Sequence, residues 1–313
     1  MISESESRPT QADTLYDCAS LTKVTVTLPL ILMLLEDGRL RLDDPLCLFI
    51  PEFGVNGKSQ VTIRHLLVHT SGLMPFTDLH SHSWTRQQII DSVIGQKLKY
   101  EPGTQVVYSD LGYVLLGHLV SLLFGEPLEE AARRRLFTPL GMSDTLFCPP
   151  PEWQIRTAAT EWYPHEAGPR WGKVHDENAF AMGGVSGHAG LFSTVRDLSR
   201  YAQMWLDRGH VNGHPLLSAA AIDTSIRCHT KTMVGAKRGL GWVLKGDPAD
   251  ASGDLLSDYS FGHTGFTGTS VVVDPINQLA IVLLTNRVHL GRQTSVHRLR
   301  ATFHNAIVSA LTD

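Results

Sequence analysis

One stretch constrains this chain more than any other. Residues 20–36, SLTKVTVTLPLILMLLE, repeat apolar side chains at helical spacing and stop at Asp37-Gly38, a glycine stop. A segment so apolar has to be buried, so it reads as the central helix around which the rest must pack. It does not read as a membrane span: Thr25, Thr27 and Pro29 interrupt it, His118 and Ser121 interrupt the second apolar run at 111–124, and both fall short of the ~20 apolar residues a bilayer asks for. The chain can bury such a helix, with 313 residues of which 42% are hydrophobic and 19% charged, a globular balance that excludes extended disorder and collagen-like repeats. Twenty-seven basic against 31 acidic residues give a net charge of −4, and no basic stripe is present to neutralise a phosphate backbone, so nucleic acid is excluded as a partner.

Beyond the central helix the periodicity predicts a short helix in VTIRHLLVHTSGL ending at Gly72, and further helices at 85–97, 111–124, 127–137 and 194–208, with Gly-, Pro- and aromatic-rich loops over 148–190. The character changes after residue 238. GLGWVLKG, GTSVVVDP and LAIVLLTNR are β-branched runs, the last two separated by the turn Asp274-Pro275-Ile276-Asn277, and they read as adjacent antiparallel strands. The closing HRLRATFHNAIVSALTD is an amphipathic helix suited to cover one sheet face. The fold class is therefore α/β (α+β), with an α/β sheet domain from 1–42 and 191–313, a mainly α-helical domain from 43–190, and the active site in the cleft between them. Cys18, Cys47, Cys148 and Cys228 lie far apart without a C-x-x-C pair and read as buried thiols. The start, MISESESRPTQAD, lacks the apolar core of a secretory signal; as written the chain is expected in the cytoplasm, and in the periplasm or outside the cell if a signal segment lies upstream.

Three short motifs could carry chemistry. Ser20-Leu21-Thr22-Lys23 puts a hydroxyl at a helix start and an amine one turn on, where a desolvated lysine can activate the serine and backbone N–H groups favour developing negative charge. Alone, the pattern usually means a solvated lysine. Tyr108-Ser109-Asp110 enters the next apolar helix; it reads either as an N-cap or as a proton carrier, Tyr108, beside a substrate-binding Asp110. His263-Thr264-Gly265 precedes GTSVVVD and reads either as a tight turn or as an edge strand brought close to a ligand. His65 and His69 have metal-ligand spacing without the Glu of H-E-x-x-H, so packing and capping are their expected roles. His188 falls in the glycine-rich loop 183–190, expected near the cleft, and Trp153, Trp162 and Trp171 either pack the loops or line an entrance.

In this order the motifs resemble the serine β-lactamase and penicillin-binding-protein superfamily, in particular its class C-like branch of β-lactamases, D-alanyl-D-alanine carboxypeptidases and related esterases. DCASLTKV, YSDLGYVLLG and GHTGFTGTSVVVDP carry the resemblance, with TIRHLLVHTSGL, RRLFTPLGMSDTLF, HDENAFAMGGVSGHAGLFST and LAIVLLTNR around them. The resemblance implies that Ser20 is the acylated nucleophile, Lys23 helps deprotonate it, and Tyr108 passes the proton to the leaving group. It further implies that Asp110, His263, Thr264 and Gly265 bind substrate, and that the backbone N–H groups of Ser20 and Phe266 form the oxyanion hole; no metal or organic cofactor is implied.

Two departures stand out: Asp110 replaces an Asn and, ionised, only accepts hydrogen bonds, and His263 replaces a Lys and loses a permanent cation. The family also begins with a helix and two strands, for which the 19 residues before Ser20 are too few, so the sheet is expected to lack them and to expose an edge. The expected partner is a small-molecule or peptidoglycan-like substrate: a D-alanyl peptide, a β-lactam or a small ester. The alternatives are a carboxylesterase with the same site, or a non-catalytic penicillin-binding-like module inactivated by N-terminal truncation. Oligomeric state is not specified by the sequence.

Overall fold

The central helix begins directly after Ser20 and is not uniform. In the computed structural model, which describes residues 7–163 and 166–311, Lys23–Thr27 form a π-helical turn with every residue buried, and α1 (Leu28–Glu36) continues it. Pro29 explains the wide turn: it has no N–H to donate and would clash with the carbonyl four residues back in a regular α-turn. Gly38, at φ +67°, takes the left-handed conformation that stops the helix. Leu30, Ile31 and Leu32 are fully buried in one hydrophobic cluster shared with Val114, Leu115 and Leu119. Those partners belong to α4 (Asp110–Phe124), which follows α2 (Ile63–Leu67) and α3 (Arg86–Gly95). The predicted helix at 61–72 is shorter than expected, because His69 turns left-handed at φ +61° and breaks it.

Two sheets frame the central helix. The smaller has the order β1 (Tyr16–Asp17), β3 (Leu191–Ser193), β2 (Leu146–Phe147), all antiparallel, and it anchors the chain just before Ser20. After the short hairpin β4 (His210–Val211) and β5 (His214–Pro215), the larger antiparallel sheet runs β6 (Val243–Leu244), β7 (Phe261–Thr264), β8 (Ser270–Asp274), β9 (Leu279–Leu283). The predicted turn forms: the Asp274 carboxylate accepts from the N–H groups of Ile276 and Asn277 and fixes the β8–β9 register. His263 and Thr264 end β7 and pair with β8 alone, since β6 reaches only Phe261 and Gly262; this end of the strand is a free edge, as one of the two readings expected, and Gly265 follows it.

Helices cover both faces of that sheet. Between β3 and the hairpin lies α5 (Val195–Leu206), whose Trp205 packs edge-on against Trp242 and Phe261. The C-terminal helix, His297–Leu311, lays Val308, Phe303 and Ile307 on Val272 and Ile281, as its amphipathic pattern predicts. Among the described residues β9 is paired on one side only. No single described helix is long and apolar enough to cross a membrane. The expectation of four buried thiols is corrected: Cys18 is buried, Cys47 and Cys228 are half-buried, and Cys148 is exposed at a left-handed loop position.

Candidate active site

Ser20 is presented by a tightly held loop. The Asp17 carboxylate accepts from Ala19 N at 2.8 Å and from His175 N at 2.6 Å, and Ala19 sits at φ +45°, a strained angle for a residue with a Cβ. From the far side the 265–269 turn is pinned to the same loop: Thr267 Oγ1 donates to Asp17 O at 2.7 Å and Thr269 Oγ1 to Cys18 O at 3.1 Å. Gly265 is required there, since a Cβ would lie 2.5 Å from Cys18 O and 2.2 Å from Thr269 Oγ1. This closure brings the backbone N–H groups of Ser20 and Phe266 to one place, and among the described residues neither donates to another protein atom. Ser20 and Phe266 both line one cleft, with these N–H groups unused by the described residues.

One helical turn after Ser20, Lys23 is completely buried and its ammonium faces three oxygens: Ser20 Oγ at 3.0 Å, His188 O at 3.0 Å and Asp110 Oδ1 at 2.7 Å. Burial works to lower its pKa, but the Asp110 carboxylate and the Tyr108 phenol outweigh it and the net shift is upward. Lys23 is a cation at neutral pH. Tyr108 hydrogen-bonds to both Lys23 and Ser20; burial raises its pKa, with the Lys23 charge only partly offsetting, so it rests as a phenol.

Two imidazoles support that phenol. His69, at the break after α2, lies 4.4 Å from the Tyr108 ring between centroids, and its Nδ1 accepts from Ser109 N at 3.1 Å. His263 lies 6.1 Å from the same ring, with Nδ1 directed at Thr264 O, 2.9 Å away, so Nδ1 carries the hydrogen. Burial pushes His263 down to about 3 and His69 well below its usual value; the nearby Lys23 charge adds to both shifts. Both rings are neutral near pH 7. The histidine of the third motif is therefore not a cation facing substrate.

A cleft of about 460 Å³ opens over these groups, lined by Ser20, Tyr108 and Asp110 on one side and by Phe266, Glu177 and Arg292 on the other. Lys23 lies beneath it, and His263, Thr264 and Gly265 form the strand end behind the lining rather than the lining itself. His188, expected near the cleft, and residues without a sequence signal complete the site. The His188 carbonyl accepts a hydrogen bond from Lys23 Nζ, while its ring spans Ser186 Oγ at 2.8 Å and Asp176 Oδ1 at 2.9 Å. Burial opposes ionisation of Asp176, yet His188 holds its pKa below the carboxylate range. Arg292 is tied to Glu161 at 2.7 Å and to Glu177.

The glycine-rich stretch was the only sequence signal for His188; Arg292 and Glu161 gave none. Other weighed residues are structural. His65 completes a capping box with Thr62, Trp171 Nε1 donates to Thr157 O at 2.6 Å, Trp153 packs on a core cluster, and Trp162 is exposed. None of the three tryptophans lines the cleft.

The comparisons with known proteins agree with this arrangement. The Beta-lactamase family model matches residues 3–304. A protein of Escherichia coli (strain K12) named "Putative D-alanyl-D-alanine carboxypeptidase" is 34% identical, over 88% of this chain and 70% of its own length; the like-named protein of Salmonella agona is 31% identical over the same shares. Among solved structures, a penicillin-binding protein homologue from Caulobacter crescentus superposes with a TM-score of 0.76 at 21% identity, covering 97% of this chain and 86% of its own. A class C beta lactamase from Rhodobacter sphaeroides does so with 0.74 at 21% identity, covering 99% and 90%. At that identity the two structures speak for the fold. With the Ser20 hydroxyl and the Tyr108 phenol lining one cleft and the Lys23 amine beneath them, the chain belongs to the beta-lactamase family of serine hydrolases.

Proposed function

We propose that this hydrolase works through an acyl-enzyme at Ser20 and that its substrate is a D-alanyl peptide or a small ester. The observation that carries the reading is the 3.0 Å contact between Ser20 Oγ and Lys23 Nζ at the floor of an open cleft. Ser20 Oγ attacks the acyl carbon, and the N–H groups of Ser20 and Phe266 hold the oxyanion. Tyr108, bonded to both Ser20 and Lys23, hands a proton to the leaving group, and water then attacks the ester by the reverse route. A fluorophosphonate probe followed by intact-mass analysis should add one adduct on Ser20 and none to Ser20→Ala. Equal labelling of both, or none of the wild type, overturns the reading.

A specific observation favours the ester. A peptide with a free C-terminal carboxylate needs a cation at the leaving-group side, but His263 is neutral and Arg292 is already held by two carboxylates. Turnover of 4-nitrophenyl esters should therefore exceed release of D-alanine from a D-Ala-D-Ala peptide. The opposite order would return the peptide to first place.

A further inference from the structure

The ammonium of Lys23 poses a problem that Asp110 resolves. It lies within 2.7–3.0 Å of three oxygens and, as a cation, has no lone pair with which to take the Ser20 proton. For Lys23 to act as a base it must first lose a proton to one of its contacts. The His188 carbonyl is an amide oxygen and Tyr108 is already a phenol, which leaves Asp110. Its Oδ1 is buried and has no aligned hydrogen-bond donor of its own, lying 2.7 Å from Nζ.

We propose that Asp110 receives the Lys23 proton during acylation, so that the lysine is a relay and the carboxylate the terminal acceptor. The inference rests on the acyl-enzyme reading above. Asp110 acts through Lys23 and is a positioning residue for its protonation state, in contrast with the substrate-binding role implied by the family's Asn. In the first step the Nζ–H facing Asp110 breaks and Oδ1–H forms; rotation about Cε–Nζ turns the freed lone pair to Ser20. The Oγ–H proton then passes to Nζ, an Oγ lone pair bonds the acyl carbon, and the carbonyl π pair moves onto its oxygen. On collapse the leaving group takes the Tyr108 proton, Lys23 reprotonates Tyr108, and Asp110 returns its proton to Lys23. On the lysine side desolvation favours the neutral pair, because Lys23 is fully buried and burial penalises its charged form.

The surroundings are compatible with this. On α4 the Tyr113 ring stands 5.6 Å from Nζ, with its hydroxyl donating to Leu67 O. From other elements the neutral His69 and His263 face the pair, and His188 is turned to Asp176, whose charge is thereby occupied. Arg238, behind His263, is held by Asp247 at 3.0 Å. In the cleft Arg292 is spent on Glu161 and Glu177, and His80 and His175 bear on Asp78 and Glu161. Asp110 is the carboxylate in contact with Nζ.

The test is the pH profile of kcat/KM for a 4-nitrophenyl butyrate substrate in wild type, Asp110→Asn and Asp110→Glu. With the acceptor removed, turnover waits for a lysine that deprotonates on its own, so the acid limb of Asp110→Asn should move up by about one pH unit or more, with about a tenfold loss near pH 6 that recovers toward pH 9. Asp110→Glu should move the limb back toward wild type. An unmoved limb with only a raised KM, or a limb displaced to lower pH, overturns the relay. Fluorophosphonate labelling separates the two levels: wild type unlabelled at Ser20 defeats the acyl-enzyme and the relay together, whereas labelled wild type with an unmoved limb defeats the relay alone.

Discussion

In the proposed mechanism Tyr108 is the residue on which proton transfer converges, and its environment keeps it an uncharged, fixed phenol. Two neutral imidazoles wall it in, and the Lys23 ammonium lies 5.0 Å from its ring centroid. Replacing it with Phe keeps the ring packing and deletes one hydroxyl, so Tyr108→Phe should lower kcat/KM by about a hundredfold or more with an unchanged circular dichroism spectrum. A loss under about threefold would remove Tyr108 from the chemistry. Ser20, Lys23 and Tyr108 were legible in the sequence because each belongs to a local motif whose spacing has a physical meaning. His69 was not: its role depends on a left-handed break after a helix and on a contact with Ser109, forty positions away.

At the scale of elements, the site depends on how closely α4 approaches the 183–190 loop. Gly117 and Gly187 meet with no room for a side chain: a Cβ on Gly187 would stand 2.2 Å from Tyr113 O and 2.8 Å from Gly117 Cα. The same loop is tied to the central helix by Thr27 Oγ1 donating to Gly187 O at 2.6 Å, and the next residue supplies the carbonyl that holds Lys23. Gly187→Ala must push the loop outward and carry the His188 carbonyl with it. It should cost about 1–3 kcal/mol of stability and, by loosening Lys23 by about 1 Å, about a hundredfold in turnover. Wild-type turnover and melting temperature in this variant would show that the loop is not what positions the lysine. The helices themselves were legible from their 3.6-residue period, and so was the β8–β9 hairpin from its turn. Strand β7 could be read as either a turn or an edge strand, because only four residues, FGHT, form it and two of them carry no strand preference; the pairing with β8 along its length, and with β6 at Phe261 and Gly262, makes it a strand.

The molecule as a whole has stored neutral histidines in its interior, and this sets its response to acid. His69, His263 and His304 are buried, and burial is the leading cause of the lowered pKa in each; the Ala251 and Ser252 backbone compensates His304 only in part. The unfolded chain binds a proton on each imidazole near pH 6.5, while the folded chain does so only at lower pH, well below for His69 and about 3 for His263. Acid therefore favours the unfolded state: these groups leave stability intact above about pH 6.5 and drain it as pH falls below, by at most about 1.4 kcal/mol per pH unit for each histidine. The carboxylates with lowered pKa, Asp176 and Asp274 among them, act in the same direction, but only once the pH approaches the unfolded value near 4. The raised carboxyls of Asp17 and Asp197 act in the opposite direction. Between about pH 6.5 and 5 the histidines should dominate, and the melting temperature should fall by several degrees across that interval. His304, on the C-terminal helix, does not line the cleft, although it borders a small cavity together with His263 and Thr264, so His304→Gln tests the cause at a position outside the cleft lining. Its melting temperature should decline less steeply with acid than that of wild type, while kcat/KM at pH 7.5 stays the same. A wild-type melting temperature that is flat from pH 7.5 to 5, or an identical slope in His304→Gln, would show that the buried imidazoles are not what limits this fold in acid.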